Sequence, residues 1–596
     1  MIIADGVRLV VGLVPGLQYP GSRPKSSFPR GADTLQSMAS TGQLADSGLR
    51  RVLGIEGTAW AASAAVYDVA RDEVTIESDP YEPDSGGIHP REAAEHMSDA
   101  VPAVVEQVLE GCQYDIDAVA FSRGPGLGPC LRIAGTAARA VAQRFDVPLV
   151  GVNHMVAHLE IGRHRSGFDA PVCLNASGAN AHVLAYRNGN YRMVGETMDT
   201  GVGNAIDKFT RHLGWSHPGG PKVEARAREG EYVELPYVVK GMDFSFSGIT
   251  SAAKQAVDDG QPVADVCRGL EETVFAMLTE VSERALSLTG RTELVLGGGV
   301  GQNDRLQRML EEMCTQRGAE LFVPEDRFLR DNAGMIAVLG AKMAAAGDTL
   351  SIAESRIDSD FRPDEVPVTW RAAESPTAAG GPSDAGDRSA TQQGAEATVE
   401  FVDGSVVKRR LPRTYRHPTL DERLRRERTR QEARLTSEAR RHGVPTPVVR
   451  DVDTAEATIT FEYVGDCDLR DALDAERVRA VGRHLATLHD AGIVHGDPTT
   501  RNVRVERSAG DSAPEADEGV DGAGRTYLID FGLGYTSRDE EDHAVDLHVF
   551  GRSLAGTADD AGTLRAAAET AYRETSERPD AVLGRLRSVE GRGRYQ

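Results

Sequence analysis

Apolar and polar residues alternate along this chain with two different periods, and together they predict an α/β protein. The segment 51–68 places two short apolar runs around a glycine turn, which predicts a β-hairpin. Further strands are predicted at 118–126 and 293–299, whereas the segment 131–145 repeats its apolar residues with a helical period. Strands that alternate with helices up to about residue 365 are typical of an α/β architecture.

Changes in this pattern divide the chain into four parts. Residues 1–50 have little periodicity and many Gly, Ser and Pro residues, so we expect a disordered extension, or upstream sequence before a true start at Met38. A first folded domain is predicted at 51–370. Ala, Gly, Ser, Pro and Asp dominate 371–392, which predicts a flexible linker, and a second domain follows at 393–596.

Composition adds an expected environment. The 596 residues carry a net charge of −24, and only seven of the 67 basic residues are lysines. An acidic, lysine-poor surface favours a salt-rich cytoplasm and hence a halophile, although a GC-rich genome would also favour arginine. No apolar run is long enough to cross a membrane, and six scattered cysteines without a C-x-x-C pair indicate a reducing compartment. We therefore expect a cytoplasmic protein.

Three motifs in the second domain indicate phosphoryl transfer. HGDPTTRN contains Asp497 and Asn502, IDFG contains Asp530, and Lys408 lies in a predicted strand upstream. Phosphoryl transfer needs one carboxylate to orient the acceptor hydroxyl, an amide for magnesium, and a second carboxylate for the metal that bridges the phosphates. Asp497, Asn502 and Asp530 supply these groups at the spacing of a protein-kinase catalytic loop and DFG turn.

The lysine scarcity supports a role for Lys408. It is the only lysine after Lys342, and a compact ammonium group suits contacts to α- and β-phosphates. A long amphipathic helix predicted at 419–440 should pair one of its glutamates with this lysine. Position alone leaves Glu427 and Glu432 open.

The second domain resembles the small atypical serine/threonine kinase of the KEOPS complex. The resemblance rests on KRRLPRTYRHPTLDERLRRERTRQEARL, LHDAGIVHGDPTTRN and EEDHAVDLHVF, and it covers 393–596. It implies a minimal two-lobed α+β kinase fold, ATP with Mg²⁺, and Glu432 as the partner of Lys408. It also implies that Gly394, Ala395 and Glu396 cover the nucleotide. Two residues depart from the family pattern in the catalytic loop, Pro498 and Arg501, and they put the catalytic rate in doubt.

Two histidines in the first domain could bind a metal ion. His154 and His158 are four residues apart in a predicted helix and therefore share one face. Such a pair grips a metal when a carboxylate joins it, but it can equally be structural. Met155 stands where a zinc protease would have its glutamate. Asp331, at the start of another apolar helix, could be a simple N-cap.

Ten motifs in order across 51–345 resemble the universal tRNA threonylcarbamoyladenosine transferase, the catalytic subunit of KEOPS. They are GIEGTA, GGIHPREAAEH, SRGPGLGPCLRIA, VNHMVAHLE, SGANAHVL, GNAIDKF, HPGGPKVEA, FSFSGI, LGGGVGQNDRL and DNAGMIA. The resemblance implies two duplicated lobes around a nucleotide cleft, as in actin, heat-shock ATPases and sugar kinases.

The same resemblance implies a metal site and a substrate site. His154, His158 and Asp331 match the metal ligands. Asn175 departs from a tyrosine that is frequent at a further metal contact, so its role as a ligand is left open, and Ala179 replaces a glycine. The residues that match contacts to threonylcarbamoyl-AMP are Asn175, Ala176, Ser177, Gly178, Ala179, Asp207, Gly220, Glu224 and Asn303.

The implied reaction is acyl transfer from threonylcarbamoyl-AMP to N6 of the adenosine 3′ of the anticodon (position 37) in tRNAs that read codons beginning with A. The ligand types favour one Fe²⁺ per transferase domain, with Zn²⁺ as the competitor. The expected partners are tRNA, ATP and other small KEOPS subunits, with no membrane. Two alternatives are a metalloprotease and a non-catalytic scaffold built from an actin-like domain and a pseudokinase.

The net charge of −24 opposes the binding of tRNA to the chain as a whole, but arginines are concentrated locally. Ten occur within 409–434, and four more in the C-terminal segment GRLRSVEGRGRYQ. Clustered arginines can bind phosphates. In the helix, however, glutamates are interleaved, so a salt-bridged surface is an equally good interpretation there.

Overall fold

A computed structural model gives the architecture of most of the chain. Parts of the predicted extension and linker lie outside the described residues, as do Gly394, Ala395 and Glu396. The described residues are 44, 47–81, 89–187, 189–371, 392–393, 397–402, 404–506, 525–558 and 560–590.

Strands and helices alternate in the first half of the chain, as the sequence pattern predicts. The strands are β1 (Arg51–Glu56), β2 (Ala61–Asp68), β3 (Glu73–Pro80), β4 (Ala118–Gly124), β5 (Leu149–Asn153), β6 (Val172–Ala176), β7 (Ala181–Arg187), β8 (Asn190–Glu196), β9 (Val239–Lys240), β10 (Asp243–Phe244), β11 (Glu293–Gly297) and β12 (Glu320–Phe322). The helices are α1 (Pro90–Gly111), α2 (Gly128–Phe145), α3 (His154–Ser166), α4 (Val202–His212), α5 (Gly220–Ala227), α6 (Ser247–Asp258), α7 (Val263–Thr289), α8 (Asp304–Arg317), α9 (Asp326–Leu329) and α10 (Ala333–Ala345).

Two five-stranded sheets in this half share one topology. The first has the order β3-β2-β1-β4-β5 and the second the order β8-β7-β6-β11-β12. In each, three antiparallel strands precede two parallel ones. Helices cover both sheets, and separate apolar cores form around them. The duplicated α/β lobes predicted for this half are therefore confirmed.

The second half combines one antiparallel sheet with a helical part. Strands β13 to β17 form the sheet, in the order β13-β14-β15-β17-β16, and α11 packs beside it. The strands are β13 (Gln392–Gln393), β14 (Ala397–Val402), β15 (Ser405–Arg410), β16 (Val449–Asp453), β17 (Thr458–Glu462), β18 (Cys467–Asp468), β19 (Ile493–Val494), β20 (Val503–Val505), β21 (Thr526–Leu528) and β22 (Tyr535–Thr536). The helices are α11 (Pro418–Arg441), α12 (Ala475–Asp490), α13 (Glu540–Thr557), α14 (Ala561–Thr575) and α15 (Pro579–Glu590).

Helix α7 lies against the second half and presents buried carboxylates to it. Glu280 accepts hydrogen bonds from Arg416, at 2.7 Å, and from Arg428, at 3.0 Å. Glu283 pairs with Arg413 at 3.0 Å and accepts the hydroxyl of Tyr415 at 3.1 Å. These side chains are all less than a tenth exposed. The two halves therefore share an interface of buried ion pairs.

This interface corrects part of the expectation for the arginine-rich segment. Arg413, Arg416 and Arg428 are paired with α7, and Arg410 is buried beside Glu432. A buried, paired guanidinium cannot reach an RNA phosphate. For these four arginines the RNA interpretation is wrong, and the salt-bridged one holds.

Strand β1 depends on a glycine where it crosses α10. A Cβ at Gly54 would lie 2.4 Å from the carbonyl oxygen of Ala333 and 2.7 Å from the amide nitrogen of Ala337. Both neighbours are helix backbone, which cannot move aside as a flexible side chain would. The smallest residue at this position therefore sets how closely the strand and the helix approach.

We expect Gly54→Ala to destabilise the protein by about 1–3 kcal/mol, because the added methyl group overlaps backbone atoms. The measurement is the thermal unfolding midpoint followed by circular dichroism. The control is Gly111→Ala, since a Cβ there meets nothing within 4 Å. Equal midpoints for the two variants would contradict this packing argument.

Candidate functional site

Residues from both α/β lobes line one large cleft of about 1240 Å³. The first lobe contributes His154, and the second contributes Asp207 and Asn303. Most of the residues predicted to bind metal or substrate lie on this surface. Those that line the cleft are His154, Asn175, Ser177, Gly178, Ala179, Asp207, Gly220, Glu224, Asn303 and Asp331.

The two predicted histidines lie on the first turns of α3, which follows β5 directly. Asn153 caps this helix, because its side chain accepts the amide N–H groups of Met155 and Val156. The imidazole rings of His154 and His158 meet edge to face, with centroids 4.9 Å apart. The spacing of four residues thus brings both rings to one side of the helix.

Asp331 completes a cluster with these histidines. One of its carboxylate oxygens lies 3.3 Å from Nε2 of His154 and 3.3 Å from Nε2 of His158. The three ligand atoms lie within 4.8 Å of one another, and no other such group of three His, Cys, Asp or Glu residues occurs in the described part of the chain. Asp331 is not the N-cap of α10; that cap is Asn332, which accepts the amide N–H of Met335 at 3.1 Å.

Glu56, which the sequence analysis did not single out, supports this cluster. Its carboxylate lies 3.0 Å from Nδ1 of His154 and is fully buried at the end of β1. Burial lowers the pKa of His154, but the charges of Glu56 and Asp331 outweigh that effect and raise it to about 10. A hydrogen bond at Nδ1 directs Nε2 toward the cleft. The signal available in the sequence was a lone carboxylate at the end of an apolar strand.

The donor set fits a divalent transition metal. Two imidazoles and one carboxylate converge, which is the ligand set of several Fe and Zn sites. Asn175 is buried close by, with Nδ2 lying 3.2 Å from Nε2 of His182, and its Oδ1 has no hydrogen-bond partner among the described residues. A buried oxygen without a partner costs free energy, which a bound ligand would recover.

A tight turn after β6 forms another part of the cleft wall. Ser177 and Asn180 bond to each other across the turn, and the carbonyl of Gly178 accepts the amide N–H of Asn204 on α4 at 2.9 Å. A Cβ at Gly201 would come within 2.4 Å of this turn. The turn and the start of α4 can therefore approach closely. Ala176 differs from its predicted neighbours, because it is buried in β6 and does not line the cleft.

On the opposite wall, Asp207 holds a glycine turn in place. Its carboxylate accepts the amide N–H of Gly219 at 2.8 Å and lies 3.2 Å from Nδ1 of His217. Helix α5 begins at Gly220, and Glu224 on it pairs with Arg228 at 2.8 Å. This wall therefore offers carboxylates and the amino end of a short helix to the cleft.

Asn303 is fixed by two sets of hydrogen bonds. Its Oδ1 caps α8 by accepting the amide N–H groups of Arg305 and Leu306. Its Nδ2 donates to Glu271 on α7 at 3.1 Å. Because both ends of the amide are committed, its orientation in the cleft is set. Glu271 is a second residue that the sequence analysis did not identify.

A second cleft, of about 280 Å³, lies in the C-terminal half and collects the residues predicted for phosphoryl transfer. Nζ of Lys408 lies 2.9 Å from Glu432 and 2.7 Å from Asp530. Of the two glutamates left open on position alone, Glu432 is thus the one at the lysine. Asp530 has φ of +64°, a backbone conformation that non-glycine residues rarely adopt and that clusters at functional sites.

Asp497 lies at the bottom of this second cleft and is held from several sides. Nδ2 of Asn502 donates to its carboxylate at 3.0 Å, and Nη1 of Arg284 does so at 3.2 Å. Asp546 fixes the start of the loop by accepting the amide N–H groups of His495 and Gly496. Arg284 belongs to α7, so the first half of the chain reaches this carboxylate.

Arg501, one of the two departures in the catalytic loop, makes a contact between the halves. Its guanidinium donates to the hydroxyl of Ser287 on α7 at 3.0 Å, and also to that residue's carbonyl oxygen. An arginine at this position therefore joins the loop to α7. Nothing in the structure explains Pro498.

We expect Glu56→Gln to lower metal affinity by about 10- to 100-fold, because a neutral amide supports the basicity of His154 less than a carboxylate does. The measurement is a Co²⁺ titration followed by visible absorption. Glu95→Gln, on the exposed face of α1, serves as the control. An unchanged affinity for Glu56→Gln would show that this hydrogen bond does not support a metal.

A family model and a solved structure each match part of this chain. Residues 70–338 match the family described as tRNA N6-adenosine threonylcarbamoyltransferase. Among solved structures, full-length HypF in a phosphate- and nucleotide-bound form covers 49% of this chain and 55% of its own, at 14% identity and a TM-score of 0.37.

Curated relatives match over nearly the full length. Proteins from Halobacterium salinarum and Haloarcula marismortui are 71% and 70% identical to this chain; each match covers 92% of this chain and 99% or 100% of the relative. A protein from Methanospirillum hungatei is 51% identical over 91% of this chain and 99% of its own. All three are named as bifunctional tRNA threonylcarbamoyladenosine biosynthesis proteins. The chain belongs to this family of bifunctional tRNA threonylcarbamoyladenosine biosynthesis proteins.

Proposed function

We propose that the first cleft transfers a threonylcarbamoyl group from threonylcarbamoyl-AMP to N6 of adenosine 37 in tRNAs that read codons beginning with A. The observation that supports this most directly is the cluster of His154, His158 and Asp331, because His154 and Asp331 line the same cleft as the glycine turns. A metal site beside a nucleotide-sized pocket suits a reaction whose leaving group is AMP. Membership of the family supports the same reaction.

His154, His158 and Asp331 would hold one Fe²⁺, with Zn²⁺ as the competing ion, and Asn175 could add its amide oxygen. The metal would supply Lewis-acid stabilisation to the carbamoyl or carboxylate oxygens of the substrate. The turn at Ser177–Ala179 and the wall with Asp207 would bind and orient the adenylate. Orientation alone contributes much to such a transfer, since no side-chain nucleophile is needed.

In the second cleft we propose a kinase-type ATPase that supports the transfer. Asp530 and Asn502 would bind Mg²⁺, and Lys408 would contact the α- and β-phosphates. Arg284 and Asn502 both donate to the carboxylate of Asp497. Residues of α7 also line this cleft, which restricts the space for a protein hydroxyl. Water is therefore the favoured acceptor.

The C-terminal helix supports tRNA as the substrate. Ser588 on α15 lines the first cleft, and Arg585 and Arg587 near it are exposed. Their guanidinium groups could therefore contact the phosphates of a tRNA whose anticodon loop enters the cleft. Other small KEOPS subunits remain expected partners.

We also propose domain boundaries at 51–370 and 393–596, and a cytoplasmic location. No helix among the described residues combines the length and the apolar character that crossing a membrane requires. The acidic, lysine-poor composition agrees with a halophilic origin, which is also the origin of the relatives from Halobacterium salinarum and Haloarcula marismortui.

Two alternatives fit these sites less well. A metalloprotease needs a carboxylate base on the open side of the metal, but Glu56, the acid at His154, is bound to Nδ1 on the opposite side of the ring. A scaffold with a pseudokinase would not need Lys408, Glu432 and Asp530 in mutual contact.

We expect His154→Ala to lose bound metal and threonylcarbamoyl transfer together, because the cluster would keep only two ligands. The measurements are metal content of the purified protein and mass spectrometry of tRNA nucleosides after the reaction. His212→Ala, on α4, is the control. Full transfer by a metal-free His154→Ala protein would refute the proposed site.

We expect Asp530→Ala to reduce ATP hydrolysis at least 100-fold, because the Mg²⁺ that bridges the phosphates would lose its carboxylate. Phosphate release is the measurement, and Asp451→Ala, on the exposed strand β16, is the control. Unchanged turnover in Asp530→Ala would exclude the second cleft as the ATPase site.

A further inference from the structure

One buried carboxyl group in this molecule differs from all the others. Ten Asp and Glu residues of the described part of the chain are buried, and nine of them have a cationic or imidazole partner within 4 Å. The exception is Glu271, whose hydrogen-bond partner is the neutral amide of Asn303. The nine are Glu56, Glu160, Asp243, Glu272, Glu280, Glu283, Asp421, Glu432 and Asp546.

Burying a carboxyl group in this way is costly, and the neighbours of Glu271 do little to reduce the cost. Burial, together with the negative charges of Glu224 and Glu272, raises the pKa of Glu271 to about 7. The nearby Arg268 is bonded to Glu272 at 2.7 Å instead. A buried carboxyl group without a cationic partner lowers the stability of the folded protein. Its presence therefore favours a functional role.

The position of Glu271 indicates what that function is. Only 4% of this residue is exposed, and what is exposed belongs to the wall of the first cleft. It lies beside Asn303 and near Glu224, two residues to which we assign the adenylate. It is far along the chain from the metal ligands and contacts none of them among the described residues.

The acidic groups of Glu271 and Glu224 indicate which part of a nucleotide lies against this wall of the cleft. Glu271 and Glu224 both present carboxyl groups to this wall of the cleft, and although Glu224 pairs with Arg228, their acidity disfavours a phosphate beside Glu271. The adenine ring carries a single exocyclic amino group, whereas the ribose carries two adjacent hydroxyls that both donate hydrogen bonds. A pair of carboxyl acceptors therefore matches the 2′,3′-diol of a ribose best.

We propose that Glu271 is a nucleoside-binding residue that accepts a hydrogen bond from a ribose hydroxyl of the adenylate and, through Nδ2 of Asn303, fixes the amide beside it. This inference rests on the proposed function of the first cleft. It adds to that function a residue which makes binding selective for ribonucleotides.

Isothermal titration of the full-length protein with AMP and with 2′,3′-dideoxy-AMP tests the proposal. The wild-type protein should prefer AMP by about tenfold, since the hydrogen bonds from the diol to the carboxyl group are lost in the dideoxy nucleotide. In Glu271→Ala that preference should fall to about threefold or less. An unchanged preference would overturn the proposal, and a wild-type protein that binds no AMP would overturn the proposed function as well.

A stability measurement separates this role from a structural one. Glu271→Gln keeps an oxygen for Asn303 and removes the buried charge, so its thermal midpoint should equal or exceed that of the wild type, while its preference for AMP over the dideoxy nucleotide falls. A residue retained for folding would instead lower the midpoint and leave the preference unchanged, which would refute the proposal. Glu311→Gln, exposed on α8, is the matched control.

Discussion

The rest of the structure depends on the buried ion pairs along α7. Glu280 and Glu283 are almost fully buried, and an isolated charge there would cost several kcal/mol. Arginines from the second half of the chain pair with both carboxylates, so each guanidinium and its carboxylate are buried only together. Each half thus supplies the partners that the buried charges of the other half need. These pairs also fix the relative orientation of the two halves, because each guanidinium meets its carboxylate in only one arrangement of them.

This arrangement also explains the unusual surroundings of the second cleft. In a free-standing kinase the catalytic aspartate faces an open groove for a peptide. Here Arg284 contacts Asp497, and Arg501 reaches back to Ser287. The interface that holds the halves together therefore continues into the loop that carries Asp497, the residue for which we propose a catalytic role. In the first cleft, His154 is also supported by a residue far away along the chain, Glu56 at the end of β1.

Periodicity along the chain predicted the α/β class, because it is a short-range signal, whereas the duplicated lobes and most of the candidate site residues were implied by the motifs that resemble known families. Neither signal identified residues whose importance depends on long-range contact. Glu56 reaches His154 across 98 positions and Arg284 reaches Asp497 across 213, and no pattern along the chain links them. Position alone could not choose between Glu427 and Glu432. The arginines of α11 were ambiguous for the same reason, since only packing shows which of them are covered.

Helix α7 carries residues of both clefts on one continuous backbone. Glu271 lines the first cleft and Arg284 the second, thirteen residues and about 20 Å further along the axis. A helix transmits its register rigidly, so one residue inserted between them would rotate one set of side chains by about 100° relative to the other. The length of this one helix therefore sets the position of each cleft relative to the other.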